Sequence, residues 1–145
     1  MPKSPKPFEV ADALHSAAIH LLRRLRVQDL ASGIGPAKLS ALSVLVFSRR
    51  ALSLAELAGA EQVKNPTMSR LVAAMERDGL VSVMASKEDA RAMQIRPTRK
   101  GERLLLAGKE RRVNSLAKVL QDLNESELSQ LEQSIGLLRN VIRHL

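Results

Sequence analysis

With 145 residues, 45% of them hydrophobic, the chain has the length and apolar content of one ordinary globular domain. Its formal net charge of +8 favours polyanionic partners, either nucleic acid or an anionic membrane surface. The absence of cysteine excludes disulfides, thiolate metal sites and thiol redox sensing, and fits a cytosolic protein.

Leucine fills 24 positions while the aromatics are only Phe8 and Phe47, so a mainly helical fold is expected. No apolar run approaches the roughly 20 residues that span a bilayer. Met1 to Pro7 carries two lysines and three prolines without an apolar core; it reads as a short disordered tail over 1–7 and not as a secretory signal. From Phe8 to about Ala31, Val10, Leu14, Ala17, Leu21 and Leu25 recur at spacings of three and four, one stripe of a long amphipathic helix. Arg23, Arg24 and Arg26 lie off that stripe and read as a solvated cationic face. Ser32-Gly33-Ile34-Gly35-Pro36 breaks the helix.

Leu39, Leu42, Leu45 and Val46 define a second helix ending near Arg49-Arg50. Ser53 with Glu56 three residues on makes a capping-box pattern for a short third helix with Leu54, Leu57 and Ala58 on its apolar side. A turn over Gly59 to Val63 leads to a fourth helix, with Asn65 expected as N-cap, Pro66 in first position and Gly79 as the stop. Two apolar stretches, around Leu80, Val81 and Val83 and around Met93, Ile95 and Pro97, flank the charged segment Ser86 to Arg91 and predict a two-stranded hairpin. Thr98 is expected to cap a fifth helix running to about Leu123, with Glu102 in its first turn. Asn124 or Ser126 starts a sixth, with Leu128, Leu131, Ile135, Leu138 and Ile142 on one stripe.

Helix, short helix, turn, capped helix and hairpin from Leu39 to Pro97 make the plan of a helix-turn-helix followed by a wing. The second helix of the pair must bury one face and offer the other to a major groove. Met68, Leu71, Val72 and Met75 suit the first role; Thr67, Arg70, Ala74 and Arg77 suit the second. Arginine there reads guanine or grips phosphate.

Several segments carry a family resemblance. Leu52-Ser53-Leu54-Ala55-Glu56-Leu57-Ala58, Pro66-Thr67-Met68-Ser69-Arg70-Leu71-Val72 and Glu76-Arg77-Asp78-Gly79-Leu80-Val81 resemble the MarR family of bacterial transcriptional regulators. Asp89-Ala90-Arg91 is similar to that family's Asp-x-Arg wing motif, Pro97-Thr98-Arg99-Lys100-Gly101 to its Thr-x-x-Gly lead into the next helix, and Leu123 to Leu128 to the start of its last helix. The likeness runs from about Leu14 to the end of the chain.

The resemblance implies a mainly α fold with a small two- or three-stranded β-wing, over a single MarR-like domain at 8–145. In it, 8–35 and about 104–145 would be dimerisation helices, and about 36–103 the winged helix-turn-helix. It implies a homodimer holding double-stranded DNA, with no enzyme activity and no cofactor, and in many relatives a small-molecule effector that releases the DNA. Candidate DNA-binding residues are Asn65, Thr67, Ser69, Arg70, Arg77, Lys87 and Arg91, with Arg91 in the minor groove and Asp89 supporting the wing. Candidate dimerisation residues are Leu14, Leu131, Leu138 and Ile142. The chain departs from the family in that Ser82 to Ala85 lack the arginines common before the wing.

Other chemistry has little support. His15 and His20 are five apart and not on one helical face, so with His144 they make a poor metal site. Met68, Met75, Met84 and Met93 read as core filler. There is no Gly-rich phosphate loop and no Gly-x-Ser-x-Gly. A winged helix used for protein contact is the alternative, since fold does not fix function; the cations Arg70, Arg77, Lys87 and Arg91 favour DNA. Binding to a membrane surface would need large apolar anchors such as tryptophan, which the chain lacks.

Overall fold

The computed structural model describes residues 4–89 and 92–145. Along it run α1 (Pro7–Arg26), a 3-10 segment (Val27–Ser32), α2 (Pro36–Ser48), β1 (Leu52–Ser53), α3 (Leu54–Ala60), α4 (Asn65–Arg77), β2 (Val81–Ala85), β3 (Met93–Pro97), α5 (Arg99–Leu120) and α6 (Glu125–Ile142). The chain divides into two compact units, Met1–Lys109 and Glu110–Leu145. Among the described residues no single helix is long and apolar enough to cross a membrane.

The first helix does not run unbroken to Ala31. It tightens into the 3-10 segment after Arg26, a common way for a helix to finish. Ser32 Oγ donates to the carbonyl of Asp29 at 2.7 Å and accepts from the amide of Ile34 at 3.2 Å, so its side chain competes with the helical ladder. Gly33 then turns the chain at φ 69°, where a side chain would be strained.

The core of the first unit lies where α2, α3, α4, the sheet and the start of α5 meet. Leu42, Leu45, Leu57, Met68, Met75, Leu80 and Ile95 are its largest fully buried side chains. Each such burial contributes about 1.5–3 kcal/mol, which makes this cluster the main force holding α4 in place. The sheet has three antiparallel strands in the order β1-β3-β2, one more than the hairpin pattern alone predicts. The extra strand is two residues long: Leu52 pairs with Ile95 and Ser53 with Gln94. The hairpin register sets Val81 opposite Pro97, Val83 opposite Ile95 and Ala85 opposite Met93.

Met68 and Met75 are buried as expected, but Met84 and Met93 are 65% and 45% exposed. They correct the expectation of four core methionines. Beyond Val83 and Ile95 the strands run out past the core, and Met84 and Met93 lie on the exposed part of the hairpin.

In the second unit, α6 starts at Asn124. The Asn124 side chain accepts from the amide of Glu127 at 2.9 Å, and Glu127 accepts from the amide of Asn124 at 3.0 Å, a complete capping box. No residue of α6 is buried, and the same holds for α1 in the first unit.

Candidate nucleic-acid interface

The helix pair is built by local chemistry. Ser53 Oγ accepts from the amide of Glu56 at 3.1 Å, and Glu56 Oε1 accepts from the amide of Ser53 at 3.1 Å. This is the predicted capping box, and it starts α3. Arg50 also donates to the Glu56 carboxylate. That bond, reinforced by the Ser53 amide, holds the Glu56 carboxyl down at about 2. The turn after α3 passes through Gln62 at φ 55°, an uncommon conformation for a side-chain-bearing residue. Ser40 Oγ, on α2, donates to Glu61 Oε1 in that turn at 2.9 Å.

The start of α4 differs from expectation by one residue. The amide of Met68 donates to the carbonyl of Lys64 at 3.0 Å, which makes Lys64 the N-cap. Asn65 and Pro66 are therefore the first two helical residues, and among the described residues no side chain caps the helix. Asparagine before proline is a strong local cap signal, but the cap is fixed by which carbonyl accepts the first helical bond.

The buried face of α4 is Met68, Val72 and Met75, with Leu71 partly buried beside it. At 100° per residue, the stripe diametrically opposite is Pro66, Arg70, Ala73 and Arg77, all exposed. Ala73 thus takes the place expected of Ala74, which is half-buried on the shoulder of the helix. Asn65, Thr67 and Ser69 are exposed on the flanks. The structure leaves every α4 candidate exposed, with a small residue between the two arginines of the outward stripe.

The end of α4 is a Schellman motif. The amide of Gly79 donates to Glu76 at 3.0 Å and that of Leu80 to Met75 at 2.9 Å, with Gly79 at φ 73°. Three residues outside the sequence-derived site converge on this turn. Lys38 Nζ donates to Asp78 Oδ2 at 2.7 Å and Lys100 Nζ to the Asp78 carbonyl at 2.8 Å. Thr98 Oγ1 donates to the Gly79 carbonyl at 2.6 Å and accepts from the amide of Gly101 at 3.1 Å, so it caps α5 and ties it to α4. The bond from Lys38 is the main reason the Asp78 carboxyl lies below its ordinary value, with Lys100 and Arg77 adding to the effect. Thr98 and Gly101 carried a motif signal; Lys38 lies 40 residues from Asp78 and carried none.

The wing closes with the amide of Ser86 donating to Ala92 at 2.8 Å and that of Ala92 to Asp89 at 3.0 Å. Lys87 and Asp89 are exposed near its tip. Arg91, the candidate minor-groove residue, lies outside the described residues. On the face away from the core, Arg96 of β3 stands opposite Ser82 of β2 and is exposed.

Of the dimerisation candidates, Leu14, Leu131 and Ile142 are exposed and Leu138 is half-buried. Within the second unit, Leu120, Leu128, Leu131 and Ile135, with Glu125 and Glu132, line an open groove of about 440 Å³. Among the described residues no group of three or more His, Cys, Asp or Glu is placed to hold a metal ion.

This arrangement has known counterparts. The family model described as MarR family matches residues 36–93, the stretch from α2 into β3. An uncharacterised HTH-type transcriptional regulator of Mycobacterium bovis is 30% identical over 129 residues, covering 89% of this chain and 90% of the relative. A MarR family protein from Bacillus stearothermophilus superposes with a TM-score of 0.79 at 27% identity, over 97% of this chain and 99% of that one. A transcriptional regulator from Thermotoga maritima gives 0.81 at 27% identity, over 97% and 96%. With the winged helix-turn-helix in place and both terminal helices matched, the chain belongs to the MarR family of DNA-binding transcriptional regulators.

Proposed function

We propose that the protein acts in the cytoplasm as a homodimeric repressor on a pseudo-palindromic operator, and that a small organic molecule is the signal that releases it. The observation that carries the reading is the outward face of α4. Arg70 and Arg77 flank Ala73 on an exposed stripe, while Met68, Val72 and Met75 hold the other face in the core. Small residues between arginines let the helix backbone come close to a groove, where arginine forms bidentate bonds to guanine or clamps phosphate. Thr67, Ser69 and Asn65 would contribute at the helix start, and Lys87 and Arg91 from the wing, with Asp89 shaping the hairpin.

Apolar side chains left open on α1 and α6, among them Leu14, Leu131 and Ile142, support self-association through these helices. With no cysteine in the chain, a thiol reaction is not available as the release signal.

The test is a gel shift of the purified protein on the DNA upstream of its own gene, at two salt concentrations. Specific binding should weaken by ~10³-fold or more between 50 and 200 mM salt if six or more phosphates are neutralised. A nearly flat response would place the basic charge away from the interface and favour a protein-contacting adaptor.

A further inference from the structure

Side chains of α2 reach both the C-cap of α4 and the C-cap of α3, the residue that opens the turn leading into α4. Ser40 Oγ donates at 2.9 Å to Glu61 in the turn that precedes α4, and Lys38 Nζ donates at 2.7 Å to Asp78 at its C-cap. Neither tie is deep; the Lys38 and Asp78 side chains are 30% and 45% exposed. Exposed pairs of this kind add little to global stability. They act on something the core does not control. Burial of Met68, Val72 and Met75 decides which face of α4 points inward, but apolar attraction is non-directional and tolerates small pivots and slides. Polar bonds at the C-cap of α4 and in the turn leading into it add a directionality that burial alone lacks. Reading base edges is sensitive to orientation, since functional groups must be held within about 0.5 Å and 10–20° of the productive geometry.

We propose that Lys38 and Ser40 are positioning residues for sequence-specific docking. From α2 they brace the C-cap of α4 and the turn that leads into it, so that its outward stripe meets the groove in register. Lys38 acts through Asp78 and Ser40 through Glu61. The inference rests on the reading of α4 as the helix that enters the groove.

The experiment uses the full chain and a duplex enriched by the wild-type protein from a random pool, with a scrambled duplex of equal composition as reference. The quantity measured is the ratio of the two affinities, together with the salt slope and the melting temperature. Lys38→Gln and Asp78→Asn change the net charge in opposite directions. Both should nevertheless lower the ratio, by about three- to tenfold, within the range of coupling between contacting residues. The double variant should be no worse than the poorer single one. Ser40→Ala, which changes no charge, should lower the ratio as well, while Lys38→Arg should preserve it.

If Lys38→Gln weakened both duplexes equally and reduced the salt slope by about one, Lys38 would be a phosphate contact and the inference would be wrong. Unchanged ratios in Asp78→Asn and Ser40→Ala would overturn it as well, leaving the DNA reading intact. If the wild-type chain enriched no sequence at all, the DNA reading itself would fail and take the inference with it.

Discussion

The carbonyl oxygen of Leu80 occupies the space that a β-carbon on Gly101 would need: the two would stand 2.2 Å apart. Gly101 is buried in the first turn of α5, and Leu80 begins the wing just after the turn that ends α4. The glycine of the Thr-x-x-Gly motif is therefore required by close packing of backbone on backbone. Gly101→Ala should destabilise the fold by about 1–3 kcal/mol, the usual cost of overpacking, because a carbonyl cannot swing aside as a side chain can. Thermal melting checks this. A variant that melted with the wild type would show that the junction of α4, wing and α5 is looser than the structure has it.

The two reading elements should separate by mutation. Arg70→Ala should cost ~1–3 kcal/mol on the operator and relax preference at one base pair if the arginine reads a base. Arg91→Ala should weaken binding to operator and A·T-rich scrambled duplexes alike and reduce the salt slope by about one, as expected for a cation held by a narrow minor groove. Asp89→Ala should act indirectly, through the shape of the wing. Titrations of all three variants on both duplexes, with melting as the folding control, would show whether the wing takes part; unchanged affinities in a folded Arg91→Ala protein would remove it from the interface.

Acid should loosen the helix pair. The Glu56 carboxyl is held at about 2 and that of Asp78 below its ordinary value, by bonds from Arg50 and Lys38 respectively. A folded-state value below the unfolded one means stability that is present above the ordinary carboxylate range and lost as pH falls towards the depressed values. Glu56→Gln and Asp78→Asn should each lower the melting temperature slightly at neutral pH and flatten its fall on acidification. Both carboxylates are solvent-exposed, so molar salt should shrink the difference. Parallel acid limbs in variants and wild type would contradict this assignment.

Self-association should depend on the second unit. Leu131 lines the open groove beside Leu128 and Ile135, and an obligate dimer typically buries more than ~2,000 Å² of mostly apolar surface. Leu131→Arg or Leu138→Arg should give monomer or aggregate in analytical ultracentrifugation and lose operator binding. A variant that sedimented as a dimer and still bound DNA would move the interface elsewhere.

What the sequence disclosed and what it hid divide along a physical line. Features enforced within a few residues were legible: the Ser53–Glu56 box, the Gly79 stop, the Thr98 cap and the paired strands of the wing. Features decided by distant partners were not. β1 is two residues whose strand character comes wholly from pairing with Ile95 and Gln94. Its sequence, Leu-Ser before a helix, looks like a cap and nothing else. The N-cap of α4 moved from Asn65 to Lys64 because the first helical carbonyl is chosen by the turn geometry around Gln62 and Val63, not by the better capping side chain. The Lys38–Asp78 tie joins two ordinary surface residues, and no local pattern marks either. Of the candidate site, the α4 residues are exposed, and Ala73 stands on the outward stripe where Ala74 was expected.

The chain builds complete reciprocal caps for α3 and α6, yet among the described residues no side chain closes the first turn of α4. The opening amides of that helix, Thr67 among them, have no helical carbonyl to bond, and a positive end charge accumulates there. In the free protein these amides should trade hydrogen for deuterium quickly. A phosphate oxygen arriving at the helix start would complete the turn and slow that exchange. On the proposed reading, the nucleic acid would then serve as a removable part of the protein's own secondary structure, and part of its affinity would be the free energy of finishing a helix.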